Sequence, residues 1–374
     1  MTDTPRVLAL VGDELGPTLW RIWAPFAELQ RRGVFAHWKS TRDPELQTAR
    51  FQANVPYNFD AVILARMSWA NMRAAREQLA QVHNAGVSVI LEVDDDMYSP
   101  AIAPRQYAVF DRERQKGLDL LERQRQGRIW LLDQVDGITV STRRLATVVR
   151  QYTTKPVEVV PNAIDVEWFQ GTLRGCKRVV RPLTIGWAGG AREPDDLLPV
   201  AEAWARLAPR YPQVTFVVQG HMAPGLVDAV PADRVRRLPW LPLAEYPRGL
   251  LNIDIGCCSV APKLFNTSKT PIKLWEYSLA GAACVVSPTL YGPYVTNDQD
   301  ALVAETAAEW EHALARLIDD AYLRRRLRRA QRQRILTEHA LAQNWWRWPQ
   351  AWSNILATAT AARSPTSTAL VTSG

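Results

Sequence analysis

Short apolar runs without polar alternation recur along the first half of the chain, and each is followed by a longer segment with helical periodicity. Continuous apolar runs are typical of strands covered on both faces, and their alternation with helices is typical of a parallel sheet with crossover connections. The pattern predicts helices near 18–32, 69–84, 105–132 and 142–152. The five runs predicted to be strands are RVLALVG from Arg6, FDAVILAR from Phe59, VSVILEV from Val87, DGITVS from Asp136 and VEVVP from Val157.

The same unit starts again in the second half of the chain. Two successive doubly wound α/β domains are therefore expected, with the carboxyl ends of their parallel sheets facing a cleft where the ligands of such sheets bind. Helices are predicted near 194–209 and 271–280. The strands predicted here are LTIGWAG from Leu183, VTFVVQG from Val214, VRRLPWL from Val235, IDIGCCS from Ile253, ACVVSP from Ala283 and ALVAE from Ala301.

This repeat predicts the domain boundaries. We expect the tryptophans of NWWRWPQAW, from Asn344, to belong to a C-terminal helix that packs back across the domains, with a sugar-stacking platform as the alternative. The Ser/Thr/Ala-rich end is expected to be disordered. The predicted segments are a Rossmann-like domain over 1–165, a linker over 166–182, a second Rossmann-like domain over 183–338, the C-terminal helix over 339–358 and the tail over 359–374.

The composition indicates in which cellular compartment the protein is expected and which partners its charge favours. The 374 residues are 47% hydrophobic, enough for two cores, and the four cysteines show no CxxC spacing that would indicate a disulfide framework or a zinc site. There is no signal-peptide layout and no apolar run of about 20 residues, so we expect a cytoplasmic protein. The net charge of +7 favours anionic partners.

The densest basic run is LRRRLRRAQRQR, from Leu323 to Arg334. A solvated helix surface is the simplest interpretation of such a run. Peripheral contact with an anionic membrane, at its inner face, and contact with nucleic acid are the two alternatives.

The segment PIKLWEYSLAGAACVVSP, from Pro271, is the most specific stretch of the chain, and APKLFNTSK from Ala261 precedes it. A loop leads here to a helix N-terminus, whose backbone N–H groups can bind a diphosphate with help from Lys269 and Lys273. Glu276 follows Lys273 by one helical turn and could accept both hydroxyls of a ribose. The alternative is an ordinary exposed pair worth about 0.2–0.5 kcal/mol. Gly281 is expected to end the helix with a positive φ.

This stretch resembles the C-terminal nucleotide-sugar motif of glycosyltransferase family 4. The resemblance implies a GT-B fold and transfer from an NDP-sugar to a hydroxyl of a glycan, lipid-linked or small-molecule acceptor, with retention at the anomeric carbon. It also implies that the NDP-sugar is a co-substrate and that neither a cofactor nor a metal is needed. Ser268 stands where the family commonly carries a glutamate, eight positions before Glu276. Asn266, Ser268 and Lys269 are expected to contact the donor instead.

A second motif, IGWAGGAREPDDL from Ile185, matches the place of the family's phosphate loop. Gly189 and Gly190 would allow the backbone to approach phosphate closely, and Arg192 would add charge, although a tight turn also needs glycine. Asp195 and Asp196 occupy positions where the family often has a lysine, so Lys263, Lys269 or Lys273 would have to compensate. The segment VEVVPNAIDVEWF, from Val157, matches the end of the family's first domain, where Asn162 and Asp165 are expected to fix the chain architecturally.

Three acidic residues follow a predicted strand in VSVILEVDDD, from Val87 to Asp96. Open α/β sheets bind ligands at the carboxyl ends of their strands. A solvated turn, a Mg²⁺ or Mn²⁺ site and acceptor recognition are the three possibilities. We favour acceptor recognition or base action by Asp94 or Asp95, with Lys269 stabilising the leaving phosphate as the third catalytic residue.

The first loop, GDELGPTLWRIWAPF from Gly12, resembles the acceptor-side loop of the family. It makes Gly12, Glu14 and Arg21 candidates for acceptor contacts, and Arg66 is added because it ends a predicted strand. The sequence therefore predicts a GT-B glycosyltransferase. A DNA-modifying glycosyltransferase, suggested by the basic charge, and a catalytically inactive nucleotide-binding protein, suggested by Ser268, are the alternatives.

Overall fold

A computed structural model describes residues 4–12, 16–40, 58–65, 72–100, 111–176, 182–190, 194–220 and 225–363. The chain divides into two compact units, each built on one parallel sheet. The first unit comprises Met1–Tyr98, Leu121–Pro161 and Trp345–Gly374, and the second comprises Ser99–Leu120 and Asn162–Asn344.

The first unit holds a sheet of six described strands in the order β2-β1-β3-β4-β5-β6. All neighbouring strands are parallel, and the five predicted apolar runs all form strands. The strands are β1 (Val7–Val11), β2 (Ala36–Ser40), β3 (Ala61–Ala65), β4 (Ser88–Val93), β5 (Gly137–Val140) and β6 (Val157–Val159).

Strand β2 is the one that the hydrophobic pattern missed. Its sequence is AHWKS, and His37 and Trp38 are exposed. Among the described strands it lies at the edge of the sheet and pairs with β1 alone, with Val7 opposite Ala36. An edge strand is not covered on both faces, so it lacks the continuous apolar run by which its neighbours are recognised.

The second unit holds a sheet of six described strands in the order β12-β11-β10-β7-β8-β9, again entirely parallel. All six predicted runs form these strands. Their bounds are β7 (Thr184–Gly189), β8 (Thr215–Gly220), β9 (Val235–Leu238), β10 (Ile255–Cys258), β11 (Ala283–Val286) and β12 (Leu302–Val303).

Helices cover and connect the strands, with π-helical turns at Leu19–Trp23 and Ile335–His339. The α-helices of the described residues are α1 (Gly16–Thr18), α2 (Ala24–Arg31), α3 (Met72–Asn84), α4 (Asp111–Gln134), α5 (Arg143–Val149), α6 (Val166–Thr172), α7 (Pro194–Arg210), α8 (Tyr246–Leu250), α9 (Leu264–Thr267), α10 (Ile272–Leu279), α11 (Pro288–Tyr291), α12 (Ala307–Asp319), α13 (Ala321–Arg334), α14 (Leu341–Asn344) and α15 (Arg347–Arg363).

Two of these helices bear on the segments predicted between and after the domains. Helix α6 lies in the segment predicted to be a linker, and Asp165 caps it by accepting a hydrogen bond from the backbone N–H of Trp168 at 2.8 Å. Helix α15 continues to Arg363, past the predicted start of the tail at residue 359. Residues 364–374 of that tail lie outside the described residues.

Helix α15 returns to the first unit and packs on its sheet. Ile355 lies so close to Gly137 that a Cβ added there would be 2.5 Å from its Cγ2 atom. Trp348 and Trp352 are 1% exposed, and the ring of Trp352 contacts that of Phe26 edge-on at 5.6 Å. These two tryptophans are core residues, and their burial supplies much of the apolar contact of the helix.

Candidate functional site

The carboxyl end of β7 meets helix α10 in the second unit. Lys273 donates a hydrogen bond to the carbonyl oxygen of Ala188, and its Nζ atom lies 5.2 Å from the centre of the Trp187 ring. A Cβ added to Gly189 would lie 2.8 Å from that Nζ atom. The absence of a side chain at Gly189 therefore makes room for the ammonium group, and two residues predicted to bind the donor lie together.

Tyr277 fixes helix α10 against the same strand. Its hydroxyl accepts a hydrogen bond from the backbone N–H of Ala188 at 2.6 Å. Its ring fills the space beside Gly256 in β10, where an added Cβ would lie 2.6 Å from the ring. Helix α10 is therefore held at a defined height above the carboxyl ends of β7 and β10.

Glu276 is 7% exposed, one turn after Lys273, and accepts a hydrogen bond at 3.0 Å from the hydroxyl of Tyr246 in α8. Burial raises the pKa of Glu276 to about 7, while Lys273 and Tyr246 act in the opposite direction. An exposed ion pair on a helix surface does not describe this environment. Tyr246 was not found from the sequence, because its hydroxyl meets Glu276 only after folding.

The loop before α10 brings in further predicted residues. Lys269 lies over the ring of Phe265, with its Nζ atom 4.2 Å from the ring centre. Ser268 is 1% exposed. The side-chain amide of Asn162 donates to the hydroxyl of Thr270 at 2.7 Å, which ties this loop to the start of the second unit. Asp165 thus makes the local backbone contact expected of it, whereas Asn162 contacts a side chain 108 positions later in the chain.

Asn266 does not have the role predicted for it. Its amide nitrogen donates to Asp196 at 2.9 Å and to the carbonyl oxygen of Ala261 at 3.0 Å, and the residue is 3% exposed. Both amide hydrogens are used within the protein, so Asn266 holds the loop together. Lys263 likewise forms an ion pair with Asp195 at 3.2 Å. The two acids at the start of α7 therefore bind groups of the chain itself.

Two glycines and a tryptophan lie side by side at the ends of β7 and β8. Gly220 pairs with Gly189 in the sheet and has φ +102°, a conformation that favours glycine, and a Cβ there would overlap the Gly189 carbonyl oxygen. Trp240 covers this point, with its ring 3.9 Å from a Cβ added to Gly190. Trp240 remains 51% exposed. It follows β9 in the chain, and only its position beside the glycines distinguishes it from the other tryptophans.

The three acidic residues after β4 diverge in their environments. Asp94 and Asp95 are half-buried, whereas Asp96 is 1% exposed and accepts a hydrogen bond from the backbone N–H of Tyr98 at 3.1 Å. The backbone oxygen of Asp94 accepts from the Ser141 hydroxyl at 3.0 Å. Among the described residues, no group of three or more His, Cys, Asp or Glu side chains converges as ligands of one metal ion. Asp94 and Asp95 are the two acids of this group that remain partly exposed to solvent.

Arg21, which was predicted on the acceptor side, is buried within the first unit instead. Its side chain is 2% exposed and forms an ion pair with Glu92 at 2.8 Å, and its guanidinium also donates to the carbonyl oxygen of Val160. Thr139 donates to the same carboxylate at 2.6 Å. Burial raises the pKa of Glu92 to about 7, and Arg21 acts against this rise. Arg21 is a buried structural residue of the first unit.

Gly12 is the remaining predicted site residue that the structure describes. Gly12 donates its backbone N–H to the carbonyl oxygen of Ala65 at 3.0 Å and so closes the end of β1 against β3. Glu14, Arg66 and Arg192 lie outside the described residues. None of the described helices is long and apolar enough to cross a membrane.

The segment that contains helix α10 matches a family of known proteins. Residues 198–348 match the family model described as glycosyl transferase-like. This segment is therefore similar to that family. It contains helix α10 with Lys273 and Glu276, together with Tyr246 and Trp240. No curated protein matches the sequence.

Solved structures share the fold of the chain in both units. HepE of Anabaena, in complex with UDP-glucose, has 13% identity and a TM-score of 0.61, covering 94% of this chain and 100% of HepE. The pneumococcal O-GlcNAc transferase GtfA, with UDP and GlcNAc, has 14% identity and a TM-score of 0.57, covering 82% and 59% of the two chains. The E. coli trehalose-6-phosphate protein, bound to UDP-2-fluoro glucose, has 12% identity and a TM-score of 0.58, covering 94% and 98%. The chain thus has the fold of the GT-B glycosyltransferases.

Proposed function

We propose that this protein transfers a sugar from a UDP-sugar to a hydroxyl acceptor, and that its second unit binds the donor. The observation that carries the proposal is the placement of Lys273 beside Gly189, with buried Glu276 one turn further along α10. A cation, a backbone that a ligand can approach closely and a buried carboxylate are the three groups that a nucleoside diphosphate requires.

The diphosphate is assigned to the start of α10. Pro271 precedes this eight-residue helix and no side chain caps it, which favours an anion at its N-terminus. Lys273 and Lys269 add positive charge near the same point. These groups would stabilise the negative charge that develops on the phosphate oxygen as the glycosidic bond to the donor breaks.

The nucleoside is assigned to Glu276 and Trp240. An ionised Glu276 carboxylate can accept hydrogen bonds from both ribose hydroxyls, and the Tyr246 hydroxyl orients it. The exposed face of Trp240, next to Gly190, offers a surface on which the base can stack. Uridine is the proposed base because UDP or a UDP-sugar occupies the three similar structures named above.

The acceptor is assigned to Asp94 and Asp95 at the end of β4. Their carboxylates would orient the acceptor hydroxyl and take its proton as its oxygen bonds to the anomeric carbon, on the same face from which the bond to the diphosphate breaks. We further propose retention at that carbon and a metal-independent reaction, because cationic side chains and helix amides are available to the leaving diphosphate. Free buried thiols at Cys257, Cys258 and Cys284 support a reducing, cytoplasmic location.

Thermal unfolding with a panel of nucleoside diphosphates tests the donor site. A ligand stabilises the folded state by RT ln(1 + [L]/Kd), so micromolar binding is visible at millimolar ligand. We expect UDP to raise the Tm of the wild type and to lose this effect in Lys273→Ala and Glu276→Ala. Lys155→Ala and Glu305→Ala remove the same charges away from the site and should respond to UDP like the wild type.

Two results would contradict the proposal in different ways. If no nucleotide raises the Tm of the folded wild type, the protein has no donor site and the proposed function falls. If UDP binds but UDP-sugars yield no UDP with any hydroxyl acceptor, the chain is a nucleotide-binding protein without transferase activity. Release of UDP that Asp94→Asn and Asp95→Asn abolish, without changing UDP affinity, is the expected result.

A further inference from the structure

Helix α13 has two faces of opposite character. Leu323, Leu327 and Gln331, spaced four residues apart, are buried against the second unit. The sequence AYLRRRLRRAQRQR contains seven arginines and no acidic residue. The outward side carries what we term the arginine face, made of Tyr322, Arg325, Arg328 and Arg329, all of which are exposed.

The other arginines of the helix have partners within the protein. Arg324 donates to the carbonyl oxygens of Leu317 and Ile318. The remaining contacts are Arg326 with Asp298 at 3.6 Å, Arg334 with Asp300 at 3.0 Å and Arg332 with the side-chain amide of Gln170. These arginines stabilise the unit and are not available to a ligand.

The three arginines of the arginine face lack such partners among the described residues. No hydrogen bond or ion pair joins Arg325, Arg328 or Arg329 to another residue of the described chain. Their mutual repulsion, with no acid on the helix to relieve it, is unfavourable in isolation. A partner that brings negative charge would remove this cost.

We propose that the arginine face adsorbs to the surface of an anionic lipid bilayer. Arg325, Arg328 and Arg329 lie within about 6 Å along the helix axis on its outward side, and basic residues close to an anionic leaflet are attracted to it. Tyr322 is 67% exposed beside them, and tyrosine is enriched where membrane meets water. The apolar residues of α13 face inward, so the contact lies at the headgroups and does not insert into the hydrocarbon.

A bilayer fits this surface better than a polynucleotide does. Non-specific nucleic-acid binding typically neutralises about 6–10 phosphates, whereas three arginines are available here. Weak adsorption to a bilayer needs only a few charges, since each contributes about fivefold to the partition coefficient.

Adsorption would bring the donor helix to the surface of the membrane, because α13 packs directly against α10. It would concentrate the enzyme where lipid-linked acceptors are found, although the adsorption itself does not depend on the donor site. The two proposals can therefore fail separately.

Co-sedimentation with vesicles tests the inference on the full chain. The vesicles are phosphatidylcholine alone, or phosphatidylcholine with about 30% phosphatidylglycerol, at low and high salt. The variant Arg325→Gln/Arg328→Gln/Arg329→Gln removes the arginine face. The matched control, Arg206→Gln/Arg236→Gln/Arg237→Gln, removes the same charge at other exposed positions of the second unit.

We expect the wild type and the matched control to bind anionic vesicles at low salt, and the arginine-face variant to bind on the order of 100-fold more weakly. All three proteins should unfold cooperatively at similar Tm values without any ligand, which shows that they are folded. Equal binding by the arginine-face variant, or equal loss in the control, would overturn the inference. The inference would also be overturned if the wild type did not bind vesicles but bound an oligonucleotide through these arginines.

Discussion

Lys273 donates its hydrogen bond to Ala188, 85 residues earlier in the chain, and in doing so lies in the space that a side chain at Gly189 would occupy. The contact connects the first turn of α10 to the end of β7. It places an ammonium group, a backbone without a side chain and a helix N-terminus at one point. Since each of these groups favours an anion, their combination is the strongest physical argument for a diphosphate there.

Gly189→Ala is expected to weaken UDP binding by displacing Lys273. The new methyl group would lie 2.8 Å from the Nζ atom, and a flexible ammonium group can move away without unfolding the protein. We expect about a 10-fold lower affinity, the usual effect of losing one charge-assisted hydrogen bond. Calorimetric titration with UDP measures it.

Gly292→Ala is the matched control for that substitution, since its added methyl group meets no atom within 4 Å. Its UDP affinity should equal that of the wild type. Gly190→Ala tests the explanation, because its nearest atom is Trp240 at 3.9 Å. If Gly189→Ala binds UDP normally, the diphosphate does not depend on the position of Lys273.

UDP-glucose affinity should fall as the pH is lowered through about 7. Burial raises the pKa of Glu276 from 4.5 to about 7, so the carboxylate that accepts the ribose hydroxyls becomes protonated below that pH. The loss should approach tenfold per pH unit below the pKa. UDP-glucose is the appropriate ligand because its diphosphate does not titrate in this range. Burial lowers the pKa of His339 from 6.5, so that group titrates at more acidic pH.

Two variants separate Glu276 from other titrating groups in this experiment. Glu276→Gln should bind weakly at every pH and show a flat profile. Tyr246→Phe removes a hydrogen bond that lowers the pKa of Glu276, so its profile should shift to higher pH. An unchanged slope in Glu276→Gln would assign the titration to another group.

Trp240→Ala is expected to weaken binding of UDP but not of inorganic pyrophosphate. Stacking of a base on an aromatic side chain contributes about 1–3 kcal/mol, and pyrophosphate has no base to stack. Trp240→Phe should retain most of the affinity. Trp346→Ala removes a tryptophan of similar exposure, 47%, from the first unit and should change neither ligand. A parallel loss of both ligands in Trp240→Ala would mean that Trp240 shapes the phosphate site instead.

Arg21→Met is expected to destabilise the first unit by about 3–5 kcal/mol, because it leaves the buried carboxylate of Glu92 without its cation. Arg21→Met/Glu92→Met should recover much of this loss, since an apolar pair leaves no buried charge. Urea unfolding followed by tryptophan fluorescence measures both. The exposed pair of Arg206 and Glu202 provides the control, and Arg206→Met should cost less than about 1 kcal/mol. A mild effect of Arg21→Met would mean that Glu92 is protonated in the variant, since removal of Arg21 raises its pKa further above about 7.

Much of the fold followed from local patterns, because strands such as β3 and β4 are covered on both faces and therefore consist of consecutive apolar residues. The same reasoning explains why the hydrophobic pattern did not predict β2. This strand lies at the edge of the described sheet, where His37 is exposed and Lys39 is partly exposed. Gly281 was also predictable, and it ends α10 with φ +85°. Many helices end at a residue with positive φ, and a glycine that follows the last helical residue marks that position in the sequence.

What the sequence by itself determined is therefore the order of strands and helices, the residues at the ends of the strands and the motif around Lys273 and Glu276. Only the tertiary structure decided that Arg21 meets Glu92 in the core, that Asn266 binds Asp196, and that Tyr246 orients Glu276. Hydrophobic periodicity depends on residues that are close to one another in the sequence, so it can be recognised from the sequence alone. Hydrogen bonds and burial between residues 30 to 71 positions apart depend on packing, which no local pattern contains.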